Sequence, residues 1–215
     1  LDGAIDTLVV DEAGQISLAN LAAIGRAARN LVLLGDPQQL SQPVKGAHPP
    51  GAERSALEHV LGEHEAIPPD RGVFLGTTRR LHPAICAFTS ELFYEGRLRT
   101  LPGLETQAIL GDGRRLSGSG LRWIPVDHAG RASVSPEEVV VVASCVSELL
   151  AGEWRDREGT VSALRPADIL VVSPYNAQVA RLRQALPAGV RAGTVDKFQG
   201  QEAPVVIYSM ATSTP

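Results

Sequence analysis

Apolar residues in the first part of the chain occur in two short runs, TLVV at residues 7–10 and LVLL at residues 31–34. An alanine-rich stretch of about a dozen residues separates the two runs and is long enough to form a helix. Strand, helix and strand is the simplest interpretation, and two strands joined in this way lie parallel in one sheet. The pattern therefore predicts an α/β sheet at the start of the chain.

The same alternation of strand-like and helix-like patterns returns in the second half. The sequence Ser-Pro-Glu-Glu at residues 135–138 predicts a capping box with proline at the first helical position. The apolar stripe that follows has helical spacing and consists of Val139, Val142, Val146 and Leu149. The later patterns predict a buried strand at residues 169–172, a helix at 176–186 and a strand at 205–208. The second half is therefore also predicted to be α/β.

A region rich in proline and glycine, residues 41–72, is predicted to connect two domains. It contains one short helix, which a capping box at residues 55–58 would start. Another helix is predicted from Pro83 to the stop signal at Gly96, with Ile85, Phe88 and Leu92 at helical spacing. Residues 103–120 are predicted to form a loop. The predicted domains are therefore residues 1–72 and residues 73–215.

The composition is that of a globular protein without a strongly charged surface. Of the 215 residues, 44% are apolar, and the formal net charge is −4. Such a charge is not typical of a protein that coats nucleic acid, so any nucleic-acid contact must be local. The sequence has no apolar run of membrane-spanning length and no basic-then-apolar leader, which predicts a cytoplasmic location. Cys86 and Cys145 are far apart in apolar surroundings and are predicted to be buried thiols.

Acidic turns follow both predicted strands of the N-terminal part. Asp11 and Glu12 follow the first run, and Gly35-Asp36-Pro37 follows the second. Ligands bind at the carboxyl ends of strands in open parallel sheets. A carboxylate there can hold Mg²⁺ through its waters, and a second one can orient or deprotonate an attacking water. The alternative interpretation is a pair of acids at a helix N-terminus, where such residues are common.

Five motifs in a fixed order favour the first of these interpretations. They are DEAGQ at residues 11–15, GDPQQL at 35–40, TTRRLHPAICAFTSELFYEGRL at 77–98, SPYNAQ at 173–178 and TVDKFQGQE at 194–202. This ordered set resembles superfamily 1 helicases, in the subgroup that includes the nonsense-mediated-decay RNA helicase and its bacterial DNA-directed relatives. The resemblance extends from Val9 to Ser213. It implies RecA-like parallel sheets with flanking helices, comprising part of a first RecA-like domain and most of a second.

In the first domain, the resemblance implies a site for ATP and Mg²⁺. Asp11 would bind Mg²⁺, Glu12 would activate the attacking water, and Gln39 would contact the γ-phosphate. Gln15 would couple this site to the nucleic-acid face of the same domain.

The third motif resembles the family's QYRMHP segment. Arg80 matches its arginine, which in the family reaches across the interdomain cleft to the γ-phosphate as an arginine finger. A guanidinium suits this role because it is always charged and can bond two phosphate oxygens. Thr78 and Arg79 replace the family's glutamine and tyrosine. Arg79 either stacks on the adenine through its guanidinium plane or is a solvated surface charge.

The last two motifs imply contacts with nucleotide and with nucleic acid. Gly200 would let the backbone approach the nucleotide, and Glu202 matches a position that contacts the ribose in relatives. Thr194, Ser173 and Tyr175 would contact phosphates of a nucleic-acid strand. For Tyr175, an aromatic cap over the edge of the sheet is the structural alternative.

The sequence contains no GxxxxGK[ST], the loop that cradles the β- and γ-phosphates in P-loop proteins. The arginine-bearing motif that relatives carry after the segment matching TVDKFQGQE is also not found in these residues. The chain is therefore interpreted as a fragment of an ATP-dependent helicase or translocase that is inactive alone.

The resemblance implies 5′ to 3′ movement on single-stranded nucleic acid, with DNA favoured over RNA, and some relatives carry a RecB-like nuclease domain in the same chain. No membrane partner is expected. Two alternatives stay open, a degenerate RecA-like module that binds without turnover and a nucleic-acid-dependent ATPase that does not unwind.

Overall fold

The computed structural model describes residues 2–39, 51–52, 54–111 and 115–213. Leu40, the last residue of GDPQQL, lies outside these ranges, as do residues 41–50 and 53 of the predicted connection.

Helices and strands alternate along the described chain. The elements up to residue 100 are β1 (Ile5–Val10), α1 (Leu18–Gly25), β2 (Ala28–Leu33), α2 (Ala56–Leu61), β3 (Thr77–Thr78), α3 (Pro83–Phe93) and β4 (Arg99–Thr100). The later elements are β5 (Ala108–Leu110), α4 (Pro136–Leu150), β6 (Glu153–Arg155), β7 (Val161–Ala163), β8 (Ile169–Val172), α5 (Asn176–Ala185), β9 (Arg191–Gly193), α6 (Val195–Phe198) and β10 (Val205–Tyr208). The predicted α/β class, with parallel sheets and flanking helices, is confirmed.

The chain divides into two compact units. The first unit comprises Leu1–Thr77 and Ala87–Arg99, and the second comprises Thr78–Cys86 and Thr100–Pro215. The division therefore falls within α3, whose first residues belong to the second unit. The domain boundary predicted between residues 72 and 73 stays a prediction.

A parallel pair of strands forms the sheet of the first unit. β1 and β2 run side by side, with Val10 opposite Leu33. Ser17 caps α1 by accepting a hydrogen bond from a backbone N–H of its first turn, and Ser55 forms a complete capping box with Glu58 at the start of α2. The buried core of this unit consists of Val10, Ala13, Leu21 and Ala56. Both predicted strands, the helix between them and the capping box at α2 are confirmed.

The second unit contains a parallel sheet with the strand order β10-β8-β9. All four residues of the central strand β8 are buried, which explains why its sequence is continuously apolar instead of alternating. The buried core joins this sheet to α4 and α5 and consists of Val142, Val146, Leu149, Leu164, Ile169, Val171, Leu182 and Ala192. The predictions of α4, β8, α5 and β10 are confirmed.

An antiparallel sheet with the order β5-β6-β7 lies in the second unit and was not predicted. β5 falls within residues 103–120, so the prediction of a loop there is wrong for Ala108–Leu110. Strands of three residues contain too few positions to show the alternation by which a strand is recognised. Residues 112–114 of the same stretch lie outside the described ranges.

Two helix predictions are wrong in detail. At α4, Ser135 Oγ accepts from the Glu138 backbone N–H at 3.1 Å, but the reciprocal bond of a capping box does not form because the Ser135 N–H donates to Gln178 Oε1 at 3.0 Å. On α3, Phe88 and Leu92 are 52% and 51% exposed, whereas Cys86 and Ser90 are buried. The spacing of apolar residues located α3 but did not identify its buried face.

Cys86 and Cys145 are both buried and neither forms a disulfide, as predicted. Over the described ranges, no helix is both long and apolar enough to cross a bilayer.

Candidate functional site

The turns that follow β1 and β2 lie directly against each other in the first unit. The Leu34 N–H donates to Val10 O at 2.8 Å, and the Ala13 N–H donates to Leu34 O at 2.8 Å, which continues the ladder beyond the strands. A Cβ atom placed on Gly14 would lie 2.6 Å from the backbone oxygen of Asp36. The motifs DEAGQ and GDPQQ therefore meet at the carboxyl edge of one parallel sheet, where ligands bind in such folds.

Asp11, Glu12 and Gln15 form one hydrogen-bonded turn. The Glu12 N–H donates to Asp11 Oδ1 at 2.9 Å, and Gln15 Nε2 donates to Glu12 Oε2 at 3.3 Å. Both carboxylates are exposed to solvent. Glu12 has a φ of 51°, in the left-handed region that few residues other than glycine adopt.

The donor set around Asp11 fits a magnesium ion that is held together with a nucleotide. Carboxylate oxygens are ligands that Mg²⁺ prefers, and nucleotide sites use only one or two of them beside phosphates and waters. Asp11 is therefore suited to share Mg²⁺ with a bound nucleotide.

Asp36 receives three hydrogen bonds in the second turn. The Gln38 N–H donates to Oδ1 at 3.0 Å, and Gln39 Nε2 donates to Oδ2 at 3.3 Å. The Tyr94 hydroxyl also donates to Oδ2, at 2.5 Å. Burial raises the pKa of Tyr94, and the bond to Asp36 raises it further, so the hydroxyl keeps its proton. Tyr94 was not predicted, although it lies within the third motif, because nothing in the sequence connects positions 36 and 94.

Gly14→Ala is expected to loosen this strand edge. The new Cβ would lie 2.6 Å from a backbone oxygen, so one of the two turns must move, and overpacking of this kind costs about 1–3 kcal/mol. Hydrogen–deuterium exchange of the amides of β1 and β2 should become faster.

Gly25→Ala provides the matched control in the same unit. Gly25 lies in α1, and an added Cβ would meet only the Leu31 side chain, at 3.4 Å. Alanine is also the better helix former, so exchange should be unchanged or slower. Equal exchange rates in the two variants would contradict close packing at Gly14.

Arg80 and Glu202 are brought together in the second unit. Arg80 Nε donates to Glu202 Oε2, and both side chains are more than half exposed. The Arg80 N–H donates to Thr78 Oγ1 at 3.3 Å, so Thr78 shapes the turn that presents the arginine. Gly200 has a φ of 73°, a conformation that suits glycine, and an added Cβ would meet open space. Arg79 is exposed, which is compatible with either of its two predicted roles.

The three residues predicted to contact a nucleic-acid strand lie at the carboxyl edge of the parallel β-sheet in the second unit. Thr194 follows β9 and is half-buried, and Tyr175, also half-buried, directly precedes α5. Ser173 follows β8 and is fully buried, and its Oγ has no hydrogen-bond partner within the described structure. Ser173 therefore cannot touch a phosphate without local opening of this edge.

A buried polar network in the second unit was also not predicted. Glu138 accepts from His128 Nε2 at 2.9 Å, from Ser209 Oγ at 2.6 Å and from the Ala211 N–H at 3.0 Å. Gln178 of SPYNAQ donates to Ser209 Oγ at 2.9 Å and is fully buried. Glu138 was interpreted as part of a capping box, and sequence offers no signal for partners that are distant along the chain.

The chain is similar to several known proteins. A family model described as an AAA domain matches residues 52–214. The 3'-5' exoribonuclease HELZ2 of Mus musculus is 30% identical over 230 residues, covering 97% of this chain and 7% of that protein. The 5'-3' DNA helicase ZGRF1 of Mus musculus is 30% identical over 218 residues, covering 94% and 11%.

A yeast protein matches over a larger share of its length. The DNA polymerase alpha-associated DNA helicase A of Schizosaccharomyces pombe is 30% identical over 223 residues, covering 97% of this chain and 32% of that protein. The chain thus spans between 7% and 32% of the length of these three relatives.

Proposed function

Because the chain belongs to the AAA domain family, we propose that it is part of an ATP-dependent superfamily 1 helicase or translocase. The helicases among its relatives confirm the resemblance to superfamily 1 that the five motifs predicted. The proposed substrate is single-stranded nucleic acid, with DNA favoured over RNA, and the proposed direction is 5′ to 3′. A cytoplasmic location and a nuclease domain elsewhere in the parent chain belong to the same proposal.

The arrangement of Asp11, Glu12 and Gln39 is the observation that carries this proposal. Two exposed carboxylates and a carboxamide lie on adjoining turns at the carboxyl edge of a parallel sheet. Hydrolysis of a phosphoanhydride requires an acceptor for the proton of water, a group that orients that water, and positive charge on the phosphates. A protein that only bound a partner would have no use for this combination.

Each predicted site residue of the first unit has a role in the proposed reaction. Glu12 accepts a proton from the attacking water, and Gln15 steadies the Glu12 carboxylate through its side-chain amide. Gln39 contacts the γ-phosphate. Asp11 would hold Mg²⁺, which neutralises phosphate charge when it is bound. We further propose that Gln15, which bonds to Glu12, couples hydrolysis to the nucleic-acid face of the domain.

Residues of the second unit complete the proposed machinery. Arg80 stabilises negative charge on the γ-phosphate during hydrolysis. Glu202 contacts the ribose, Gly200 allows the backbone to approach the nucleotide, and Arg79 stacks on the adenine.

Contact with the nucleic-acid strand is proposed for the carboxyl edge of the sheet in the second unit. Thr194 and Tyr175 contact strand phosphates. Ser173 joins them only when this edge opens, because its side chain is fully buried.

Glu12→Gln in the full-length protein is expected to lower nucleic-acid-stimulated ATP hydrolysis at least about a hundredfold, because the amide cannot accept the proton of the attacking water. ATP binding should persist, since the amide retains the shape of the side chain. The measurement is steady-state phosphate release with single-stranded DNA present, beside equilibrium binding of a fluorescent ATP analogue. The 215-residue chain alone serves as a background control and should hydrolyse no ATP, because it lacks the phosphate-cradling loop.

Turnover by Glu12→Gln at the wild-type rate would refute the assignment of the base. If Glu12→Gln loses ATP hydrolysis but the wild-type protein displaces no strand, the protein is instead an ATPase that does not unwind. Absence of both activities in the wild-type full-length protein would identify a binding module without turnover. Duplexes with a 5′ or a 3′ single-stranded tail, made of DNA or RNA, test the direction and the substrate in the same assay.

A further inference from the structure

We propose that Tyr94 is a positioning residue for ATP hydrolysis, because it holds the Asp36 carboxylate that orients the side-chain amide of Gln39. The inference rests on the proposed function, in which Gln39 contacts the γ-phosphate. Tyr94, Asp36 and Gln39 belong to one compact unit. They form a continuous chain of hydrogen bonds, of 2.5 Å from Tyr94 to Asp36 and 3.3 Å from Gln39 to Asp36.

The chemistry of a carboxylate fixes which end of the Gln39 amide faces Asp36. An ionised carboxylate only accepts hydrogen bonds, whereas a glutamine side chain has an NH₂ donor and a carbonyl acceptor. The NH₂ group must therefore point to Asp36, and the reversed amide would set two acceptors against each other. One N–H of Gln39 is thus used by Asp36. Because Gln39 is exposed, its second N–H and its carbonyl oxygen can bond to a phosphate oxygen and a water.

The Asp36 carboxylate needs to be held still to act in this way. The Gln38 N–H occupies Oδ1 at 3.0 Å, and the Tyr94 hydroxyl shares Oδ2 with Gln39. A hydrogen bond from a hydroxyl to a charged acceptor is among the stronger protein hydrogen bonds. Tyr94 therefore limits rotation of the carboxylate that carries Gln39.

Packing and backbone contacts fix Tyr94 in turn. Its ring lies against Phe74, with centroids 6.0 Å apart and planes tilted by 47°. The Arg97 guanidinium lies over the Phe74 ring, 4.5 Å from the ring centroid, and donates to Ile67 O at 3.1 Å. The Tyr94 N–H donates to Ser90 O at 3.0 Å just after α3 ends. Tyr94→Phe removes the hydroxyl and leaves these contacts in place.

The test is Tyr94→Phe in the full-length protein, with ATP turnover measured over a range of ATP concentrations. We expect kcat to fall about tenfold, as for loss of one charge-assisted hydrogen bond, with the KM for ATP changed less than about twofold. Loss confined to kcat indicates an interaction that matters in the transition state. Tyr208→Phe is the matched control, because Tyr208 is 51% exposed in β10 and has no part in the site, and it should leave both constants unchanged. Wild-type kcat in Tyr94→Phe would overturn the inference.

A double-mutant cycle separates positioning of Gln39 from a general structural role. In the Gln39→Ala background, Tyr94→Phe should have no further effect on kcat, because the group that it positions is gone. An equal further fall in that background would overturn the inference. Thermal unfolding of Tyr94→Phe should remain within a few degrees of the wild type, and a fall in kcat explained by unfolding would likewise overturn it.

Glu12→Gln keeps this inference distinct from the proposed function. If the wild-type full-length protein hydrolyses no ATP, the proposed function fails by itself, whereas normal turnover by Glu12→Gln refutes only the assignment of the base. If Glu12→Gln abolishes turnover while Tyr94→Phe keeps the wild-type kcat, only the role of Tyr94 is overturned.

Discussion

Arg80→Ala is expected to lower the ATP turnover of the full-length protein about a thousandfold or more, which is the effect of removing an arginine that stabilises charge on a transferred phosphoryl group. A guanidinium offers five donors in a planar fork and can bond two phosphate oxygens at once, whereas alanine offers none. The loss should appear in kcat, because the charge that Arg80 is proposed to stabilise develops during the reaction.

The surroundings of Arg80 allow this loss to be interpreted as chemical. The Arg80–Glu202 ion pair is exposed, with 55% and 64% of the two side chains accessible. Exposed ion pairs contribute little to stability, so the variant should unfold at nearly the wild-type temperature. The same weakness allows Arg80 to exchange Glu202 for a phosphate, and the turn that carries it is held independently by Thr78.

Two further variants sharpen the test of Arg80. Arg80→Lys retains the charge but cannot bond two oxygens in one plane, so it should recover only a small part of the turnover. Arg181→Ala removes an exposed arginine from α5 and should leave turnover unchanged. Turnover by Arg80→Ala within about threefold of the wild type would contradict its assignment, given the range expected for such residues.

The sequence predicted those parts of the fold that are determined by local pattern. β8 could be located to the residue because a central parallel strand is apolar on both faces, and α4 because Pro136 and Ser135 mark its first turn. The antiparallel sheet β5-β6-β7 was missed because its three-residue strands show no periodicity. The buried face of α3 was missed because tertiary contacts, and not apolarity, decide which side of that helix is covered.

The candidate site shows the same division between local and long-range information. Asp11, Glu12 and Gln15 lie within five residues, so their shared turn could be anticipated from DEAGQ. The contact of Tyr94 with Asp36 joins residues 58 positions apart and depends on the packing of Phe74 and Arg97, which no local pattern records. Ser173 shows the same limit, because its motif position does not indicate burial and its side chain is fully buried.

Glu138→Ala is expected to destabilise the second unit by about 3–5 kcal/mol, because it leaves several buried hydrogen-bond donors without their acceptor and each such loss costs about 1–3 kcal/mol. The side chains of His128 and Glu138 are only 7% and 10% exposed. Without the carboxylate, His128 Nε2, Ser209 Oγ and the Ala211 N–H all lose their acceptor in a place that water does not reach. Ala211 also has a φ of 60°, a conformation that alanine adopts only when its surroundings impose it.

Urea unfolding of the chain measures this prediction. Trp154 packs against the buried core of the second unit, so its fluorescence reports on the unfolding of that unit. The midpoint for Glu138→Ala should fall by more than about 1 M urea. Glu138→Gln keeps one acceptor oxygen, so its urea midpoint should fall less.

Glu137, the neighbouring glutamate on the same helix turn, provides the comparison. It tests whether Glu138→Ala destabilises the unit by breaking the buried network or by removing negative charge from the N-terminus of α4. Glu137 accepts from the half-exposed Arg131, whose guanidinium lowers the pKa of Glu137 to about 2, so Glu137 is fully ionised at neutral pH. Its pair is screened by solvent, and Glu137→Ala should shift the midpoint far less than Glu138→Ala. Equal shifts would mean that the first turn of α4 needs negative charge at its N-terminus, and that the bonds to Ser209 and Ala211 contribute nothing further. A larger loss for Glu138 would show that it holds the segment after β10 against α4, at the sheet edge where Ser173 also lies.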